Sequence, residues 1–354
     1  MLWIAPFAVA EPTEIFVSAG VFAAGSGPTN VIGRDLDGDG DLDLAVTNEF
    51  SNNVTVLMNL GGVQGGTPGS FGSPTSYAAV SRPQGLGAAD LDGDGDNDLV
   101  VGNISPQGNT DSVSVFINQG YLQGGTQGVF AAAINYPAGS QNVDLYIVDL
   151  DADGDPDVAI ANSGGGGGVS VLINHGGAQG GTPGTFAAPI QYAVTTGTGT
   201  ESIFGDDLDG DGDCDLVVAN AYDNNVRLLI NQGGSQGGVT GVFVVGATYG
   251  TGSHTMNVLA KDLDGDGDLD IATGNHTSDN VSILINQGGA QGGTEGTYAA
   301  AVNVAVGNGP YGLCAGDFDA DGDLDLAIPN FWDNAVTVLM NMGGAQGGSA
   351  GTFL

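Results

Sequence analysis

Short apolar runs recur along the chain, and each closes on an asparagine. Leu44–Ala45–Val46 leads to Asn48 and Leu216–Val217–Val218 to Asn220; equivalents end at Asn103, Asn162, Asn275 and Asn330. Alternate positions on both sides of each run are apolar. That reads as a strand buried on two faces, rather than a half-exposed edge. A variable polar loop follows, then a second run such as Val54–Met58, Val169–Ile173, Val226–Ile230 or Val281–Ile285. This run ends at Asn59, Asn118, Asn174, Asn231, Asn286 or Asn341. A thirteen-residue glycine-rich stretch starts on that asparagine and ends in Phe71, Phe130, Phe186, Phe243, Tyr298 or Phe353. Its constant length predicts a defined loop rather than a linker. The aromatic opens a third strand, and four copies place Tyr77, Tyr136, Tyr192 or Tyr249 six residues on. An even spacing puts both rings on one face of a strand. A turn and a fourth strand complete the period. No segment has helical periodicity, so the pattern predicts four strands per period and an all-β fold.

The fourth strand leads into a string D-x-D-x-D-x-D-x-D, which occurs six times. The copies are Asp35, Asp37, Asp39, Asp41 and Asp43; Asp90, Asp92, Asp94, Asp96 and Asp98; and Asp149, Asp151, Asp153, Asp155 and Asp157. The other three are Asp207, Asp209, Asp211, Asp213 and Asp215; Asp262, Asp264, Asp266, Asp268 and Asp270; and Asp317, Asp319, Asp321, Asp323 and Asp325. The copies start 55, 59, 58, 55 and 55 residues apart. Such a period marks an array of supersecondary units, and four strands per unit without a helix reads as a propeller blade. Phe16 and Phe353 share one phase, so residues 16–354 form a single domain of six repeats. The expectation is a six-bladed β-propeller of four-stranded blades, with the strand near Phe16 completing the last blade. Closure of this kind hides edge strands. The alternative is a seven-bladed ring lacking one repeat.

Charge changes the picture next. The 354 residues carry 41 Asp+Glu against 4 Lys+Arg, a formal net charge of −37. That excludes nucleic-acid binding and disfavours anionic membranes, since both need basic surface. An acidic, glycine-rich chain suggests disorder, but 41% of the residues are hydrophobic. Thirty of the 41 acids sit in the six strings. Five carboxylates in nine residues repel one another unless a cation intervenes. Calcium fits best: it takes six to eight oxygen ligands in irregular geometry, and a glycine stands at position 6 of every copy for the turn. Magnesium wants a stricter octahedron, and zinc or iron wants His or Cys. Position 12 lies within a strand, so the loop is no EF-hand. Six Ca2+ ions would leave a formal charge of about −25.

The strings Asp35–Asp43 and Asp317–Asp325, their following strands and the Phe-x5-Tyr segments resemble FG-GAP/VCBS repeats, those of integrin α-subunit propellers and many secreted bacterial proteins. The resemblance spans about residues 16–353. It implies a calcium-binding loop between the first two strands of each blade. Positions 1, 3, 5 and 9 would supply carboxylates and position 7 its carbonyl. Two departures stand out: position 7 is Asp in every copy, and the family often has seven blades.

Other features carry less. Cys214 and Cys314 fall in non-adjacent blades, which argues against a disulfide, and read as two small buried residues. Residues 1–15 are an apolar leader; Ala8-Val9-Ala10 looks like the tail of a secretory signal, although a basic n-region is missing. An extracellular or cell-surface location follows, without membrane insertion. No Ser/His/Asp or Cys/His arrangement is evident, so the chain does not read as an enzyme. The Asp loops lie on one face of the propeller, and the variable loops on the other. The latter carry Phe50, Tyr222, His276, Phe331 and Trp332, and the inter-blade turns beside them Arg82, His254 and Tyr311. Exposed aromatics among polar groups suit sugars or a protein partner. The expected function is adhesion or recognition of an extracellular protein or glycan ligand. The alternatives are a carbohydrate-active enzyme, lyase or hydrolase, on the same scaffold and a purely structural surface protein.

Overall fold

The computed structural model describes residues 20–61, 69–105, 111–120, 125–176, 181–196, 199–233, 237–288, 292–294, 296–343, 349 and 351–354. The leader, Phe16 and the recurrent glutamines of the glycine-rich stretches (Gln64, Gln123, Gln179, Gln236, Gln291 and Gln346) lie outside them. The first sheet comprises β1 (Pro28–Arg34), β2 (Asp43–Asn48), β3 (Asn53–Leu57) and β4 (Thr75–Ala78). The second holds β5 (Pro83–Ala89), β6 (Asp98–Asn103), β7 (Ser112–Phe116) and β8 (Ile134–Pro137). The third holds β9 (Asn142–Val148), β10 (Asp157–Asn162), β11 (Gly168–Leu172) and β12 (Ile190–Tyr192). The fourth holds β13 (Thr200–Asp206), β14 (Asp215–Asn220), β15 (Asn225–Asn231) and β16 (Phe243–Gly250). The fifth holds β17 (Thr255–Lys261), β18 (Asp270–Asn275), β19 (Asn280–Leu284) and β20 (Val302–Ala305). The sixth has β21 (Cys314–Gly316), β22 (Asp325–Asn330) and β23 (Ala335–Leu339). Strand order within each sheet follows the chain, and every pairing is antiparallel. No helix occurs among the described residues. The class is that of an all-β propeller.

The two-faced apolar pattern is explained by packing between sheets. Leu36, Ala45, Val54 and Val56 of the first sheet pack with Leu86, Leu99, Val101 and Phe116 of the second. Four further clusters join the second to the third sheet, and so on to the fifth and sixth. Burying each leucine contributes roughly 2 kcal/mol. The middle strands β6, β10, β14 and β18 are buried throughout. The inner strands converge on one axis: residues from all six sheets, from Thr29 and Gln84 to Met256 and Tyr311, line a common polar cavity of about 440 Å³.

Two expectations need correction. The aromatic that ends each glycine-rich stretch makes an isolated bridge to the recurrent asparagine, as Phe71 does to Asn59; the outer strand proper starts further on, except in β16. Its ring meets the tyrosine of the preceding blade instead of its own: Tyr77 stacks edge-on against Phe130 at 5.4 Å, and Tyr192 against Phe243 at 5.7 Å. Each tyrosine hydroxyl also accepts a bond across the seam, as Tyr249 does from the Tyr298 N–H at 3.2 Å. The expected strand near Phe16 begins outside the described residues. Gly20–Gly25 forms no strand, and the sixth sheet stops at three.

Candidate metal centre and recognition face

Each acidic string connects the first two strands of its sheet. Position 1 organises the turn: Asp35 Oδ1 accepts from the N–H groups of Gly38 (2.8 Å) and Asp39 (3.1 Å), and Oδ2 from Gly40 (3.0 Å). Asp90 and Asp262 repeat this. Gly40 at position 6 has φ 92°, a conformation that glycine adopts without strain. Position 9 is buried and ties the loop to the second hairpin. Asp43 Oδ2 accepts from Leu36 N at 2.8 Å, and Oδ1 from Asn59 N at 2.7 Å. The same pair of bonds recurs at Asp98, Asp157, Asp215, Asp270 and Asp325.

Carboxylate oxygens of each string also converge. In the first two loops positions 1, 3 and 5 bring one oxygen each within 4.8 Å of one another. In the third, fourth and fifth, positions 1, 3 and 9 do so. At position 5, Asp39, Asp94, Asp153, Asp266 and Asp321 each bury an Oδ2 that has no hydrogen-bond partner. A buried acceptor without a donor is costly, and a hard cation would satisfy it. The all-oxygen donor set fits such an ion. Electrostatics agree. Burial, against two N–H bonds, pushes the Asp98, Asp157, Asp215 and Asp270 carboxyls up to about 7. Burial and neighbouring carboxylates raise Asp37, Asp151 and Asp264 to about 6. A bound cation reverses that logic and holds them ionised.

Position 7 turns aside. Asp155 and Asp213 lie against Gly176 and Gly233, where a Cβ would come within 2.0 and 2.1 Å of the carboxylate. These acids pack on the glycine-rich stretch of their own blade, which explains a glycine two residues after the recurrent asparagine. That asparagine in turn links blades. Asn118 Nδ2 donates to Leu36 O of the preceding blade at 2.8 Å, and Asn231 Nδ2 to Leu150 O at 2.8 Å.

The opposite face holds the aromatic residues. Tyr222, His254, His276, Tyr311, Phe331 and Trp332 form one ladder over the fourth to sixth blades. Ring centroids stand 5.4 Å apart for Tyr222–His254, 5.8 Å for His254–His276 and for His276–Trp332, and 4.7 Å for Phe331–Trp332. Phe50 and Arg82 are not brought to it. They sit on the first and second blades, and Arg82 pairs with Glu49. Cys214 is half-buried and its thiol is pushed up to about 12, chiefly by burial. Cys314 is exposed, contrary to expectation, because the blade face that carries it is uncovered.

A pairing missed in the sequence supports the rings. Eight residues before each acidic string the backbone is left-handed: Gly27, Arg82, Gln141, Gly199, His254 and Gly309. Fifteen residues after the string's first Asp stand Phe50, Ser105, Gly164, Tyr222, Thr277 and Trp332. Aromatics occur there only where the first position is glycine. A Cβ at Gly27, Gly199 or Gly309 would come within 2.7, 2.4 or 2.4 Å of Phe50, Tyr222 or Trp332. Each ring thus lies on bare backbone, yet all three residues remain exposed. The co-occurrence was readable as a correlation between repeats. Beside Trp332, His276, Thr277, Asp279, Asn308 and Asp333 line an open cleft of about 580 Å³. Asn308 donates to Asp333 from its backbone N at 2.6 Å and from Nδ2 at 2.7 Å, which holds that carboxyl below its usual range.

The FG-GAP-like repeat profile matches residues 35–101, 90–160, 149–218, 207–273 and 262–328, five overlapping spans that join the six acidic strings. No curated protein matches the sequence. Among solved structures, an Agrocybe aegerita lectin that specifically recognises non-reducing terminal N-acetylglucosamine is 20% identical, with a TM-score of 0.56 over 92% of this chain and 79% of that one. A functionally unknown protein from Desulfotomaculum acetoxidans is 13% identical, with a TM-score of 0.56 over 94% of this chain and 86% of that one. At these identities the likeness is one of fold.

Proposed function

The chain belongs to the FG-GAP-like repeat family, and from that premise we propose that it is an extracellular, calcium-stabilised recognition module that binds a neutral glycan on its aromatic face. Calcium, which tolerates irregular all-oxygen coordination, is the ion that best suits the six acidic loops, one per repeat. The carrying observation for recognition is the set of exposed rings seated on glycine backbone, above all Trp332 on Gly309. A sugar ring stacks on such a plane, while Asp279, Asn308 and Asp333 offer hydrogen-bonding groups at its edge. Charge selects the ligand class. No lysine or arginine belongs to the ladder, so an acidic sugar would find no counter-charge. The fold likeness to a lectin supports this reading. Binding is proposed without turnover.

A glycan array followed by calorimetry tests it, with a polysaccharide-degradation assay run in parallel. A neutral glycan should bind in calcium, and Trp332→Ala should weaken it by about 2 kcal/mol, as truncation of a central aromatic anchor does. Full affinity in that variant would remove the aromatic face from the site. Release of shortened product would favour an enzyme, and capture of a protein alone would favour adhesion.

A further inference from the structure

The seam between the third and fourth blades departs from the other seams at two places, and both departures meet in one cavity. The residue before each acidic string is Arg34, Ala89, Val148, Asp206, Lys261 or Gly316, so the fourth copy alone carries an acid there. Position 8 of the strings is Leu42, Asn97, Pro156, Cys214, Leu269 or Leu324, so the fourth copy has the one thiol. Between the two blades, Tyr146, Asp149, Asp206, Asp213, Cys214 and Thr240 line a cavity of about 340 Å³. The small Cys214 leaves space that a leucine would fill.

Oxygen atoms without donors gather at this cavity. Asp213 is 9% exposed, and its Oδ2 is buried without a hydrogen-bond partner. A Cβ at Gly233 would meet that oxygen at 2.1 Å and Thr240 Oγ1 at 2.2 Å, which sets the carboxylate and the hydroxyl side by side over one glycine. The second blade treats the equivalent acid differently: Gln127 Nε2 donates to Asp96. Thr240 takes the place of Gln127, nine residues after the recurrent asparagine, and donates nothing to Asp213 Oδ2. The carbonyl at the corner of the seam differs in the same way. Asn97 Nδ2 donates to Asp35 O of the preceding string at 2.8 Å, whereas Cys214 Sγ turns to Asp215 O at 3.4 Å and leaves Asp149 O without that donor. Asp206 Oδ1 accepts from Asp207 N at 3.0 Å, and its other oxygen accepts no bond among the described residues. A buried carboxylate oxygen with no donor is costly, and no lysine, arginine or histidine among the described residues lines the cavity to offset it.

We propose that this cavity holds a divalent cation additional to those of the six acidic loops, and that calcium is the class it fits. Asp213 Oδ2, an Asp206 carboxylate oxygen, Thr240 Oγ1 and Asp149 O would be its protein ligands. Water would complete the six to eight oxygens that calcium takes. The volume admits an ion with several waters, each of which occupies about 30 Å³. The site reuses residues of the loops but not their ligating atoms: Asp149 would give its own loop a carboxylate, and Asp213 its carbonyl. Asp149 comes from the third blade and the other three ligands from the fourth, so the ion would clamp this seam.

Equilibrium dialysis of the full chain against millimolar calcium, with bound metal counted by atomic emission, tests this. The unaltered chain should hold one ion more than Asp206→Asn, which keeps the shape and removes the charge. It should also hold one more than Cys214→Leu, which fills the cavity with the residue that three other strings carry. Circular dichroism checks that each variant is folded, and the near-isosteric Asp206→Asn carries the test if the leucine does not fit. The readout is a difference of one ion, so it stands apart from how many acidic loops are loaded. An unaltered chain that binds no more calcium than folded Asp206→Asn overturns the proposal and leaves Asp213 to a water molecule.

Discussion

Metal and protons compete for the same carboxylates, so calcium should reverse the pH dependence of stability. The perturbation is chelation across a pH series. Without the ion, Asp98, Asp157, Asp215 and Asp270 titrate near 7 when folded, against 3.8 for the ordinary group. These folded values are raised, so between about pH 4 and 7 the folded chain binds more protons than the unfolded one, and stability must fall as pH rises. Each such group is worth about 4 kcal/mol across that window, at 1.36 kcal/mol per unit. All four side chains are buried, so solvent screens them little. One such group is already a large share of the roughly 5–15 kcal/mol that holds an ordinary domain, so the metal-free chain should be less stable at pH 7.5 than at pH 5. With calcium the sign inverts: the ion binds the ionised form, and its stabilisation is lost as pH falls. Each site at a hundredfold excess over Kd adds about 2.7 kcal/mol. The assay is calorimetric melting at pH 5, 6 and 7.5, in EGTA and in millimolar calcium, with magnesium as control. As pH rises from 5 to 7.5, Tm should fall in chelator and hold or rise in calcium. A chelated Tm that is flat or rising, or one that calcium leaves unmoved at pH 7.5, would refute the reasoning.

Other outcomes follow from the same geometry. Asn231→Ala should cost about 3 kcal/mol or more, because it leaves the buried Leu150 O, Cys214 O and Gly241 N without a partner; chemical denaturation measures this. Gly199→Val should destabilise by roughly 1–3 kcal/mol, since φ is 96° and the new Cβ would overlap Tyr222. The displaced Tyr222 ring should show in near-ultraviolet circular dichroism, and an unchanged spectrum with unchanged stability would contradict the glycine platform.

The repeat, its strands and its acidic loop were legible in the chain because each is set by local periodicity. A short two-faced apolar run, bounded by Asp and Asn turns and rich in β-branched residues, reads as a strand between two sheets. Carboxylates spaced two apart around a glycine turn bring several oxygens toward one point. Positions 1, 3, 5 and 9 were expected as ligands, and the structure draws together 1, 3 and 5 in two loops and 1, 3 and 9 in three. Relations between blades were not legible, because they join residues some 50 to 80 positions apart and leave no local signature. Only the tertiary structure sets Tyr77 on the next blade's Phe130, turns position 7 onto glycine and seats Trp332 on Gly309. Local sequence determined what each blade is, since hydrogen bonding and burial within a hairpin are short-range. Packing of one blade on the next decided which surfaces remain open, and therefore where a ligand can be met.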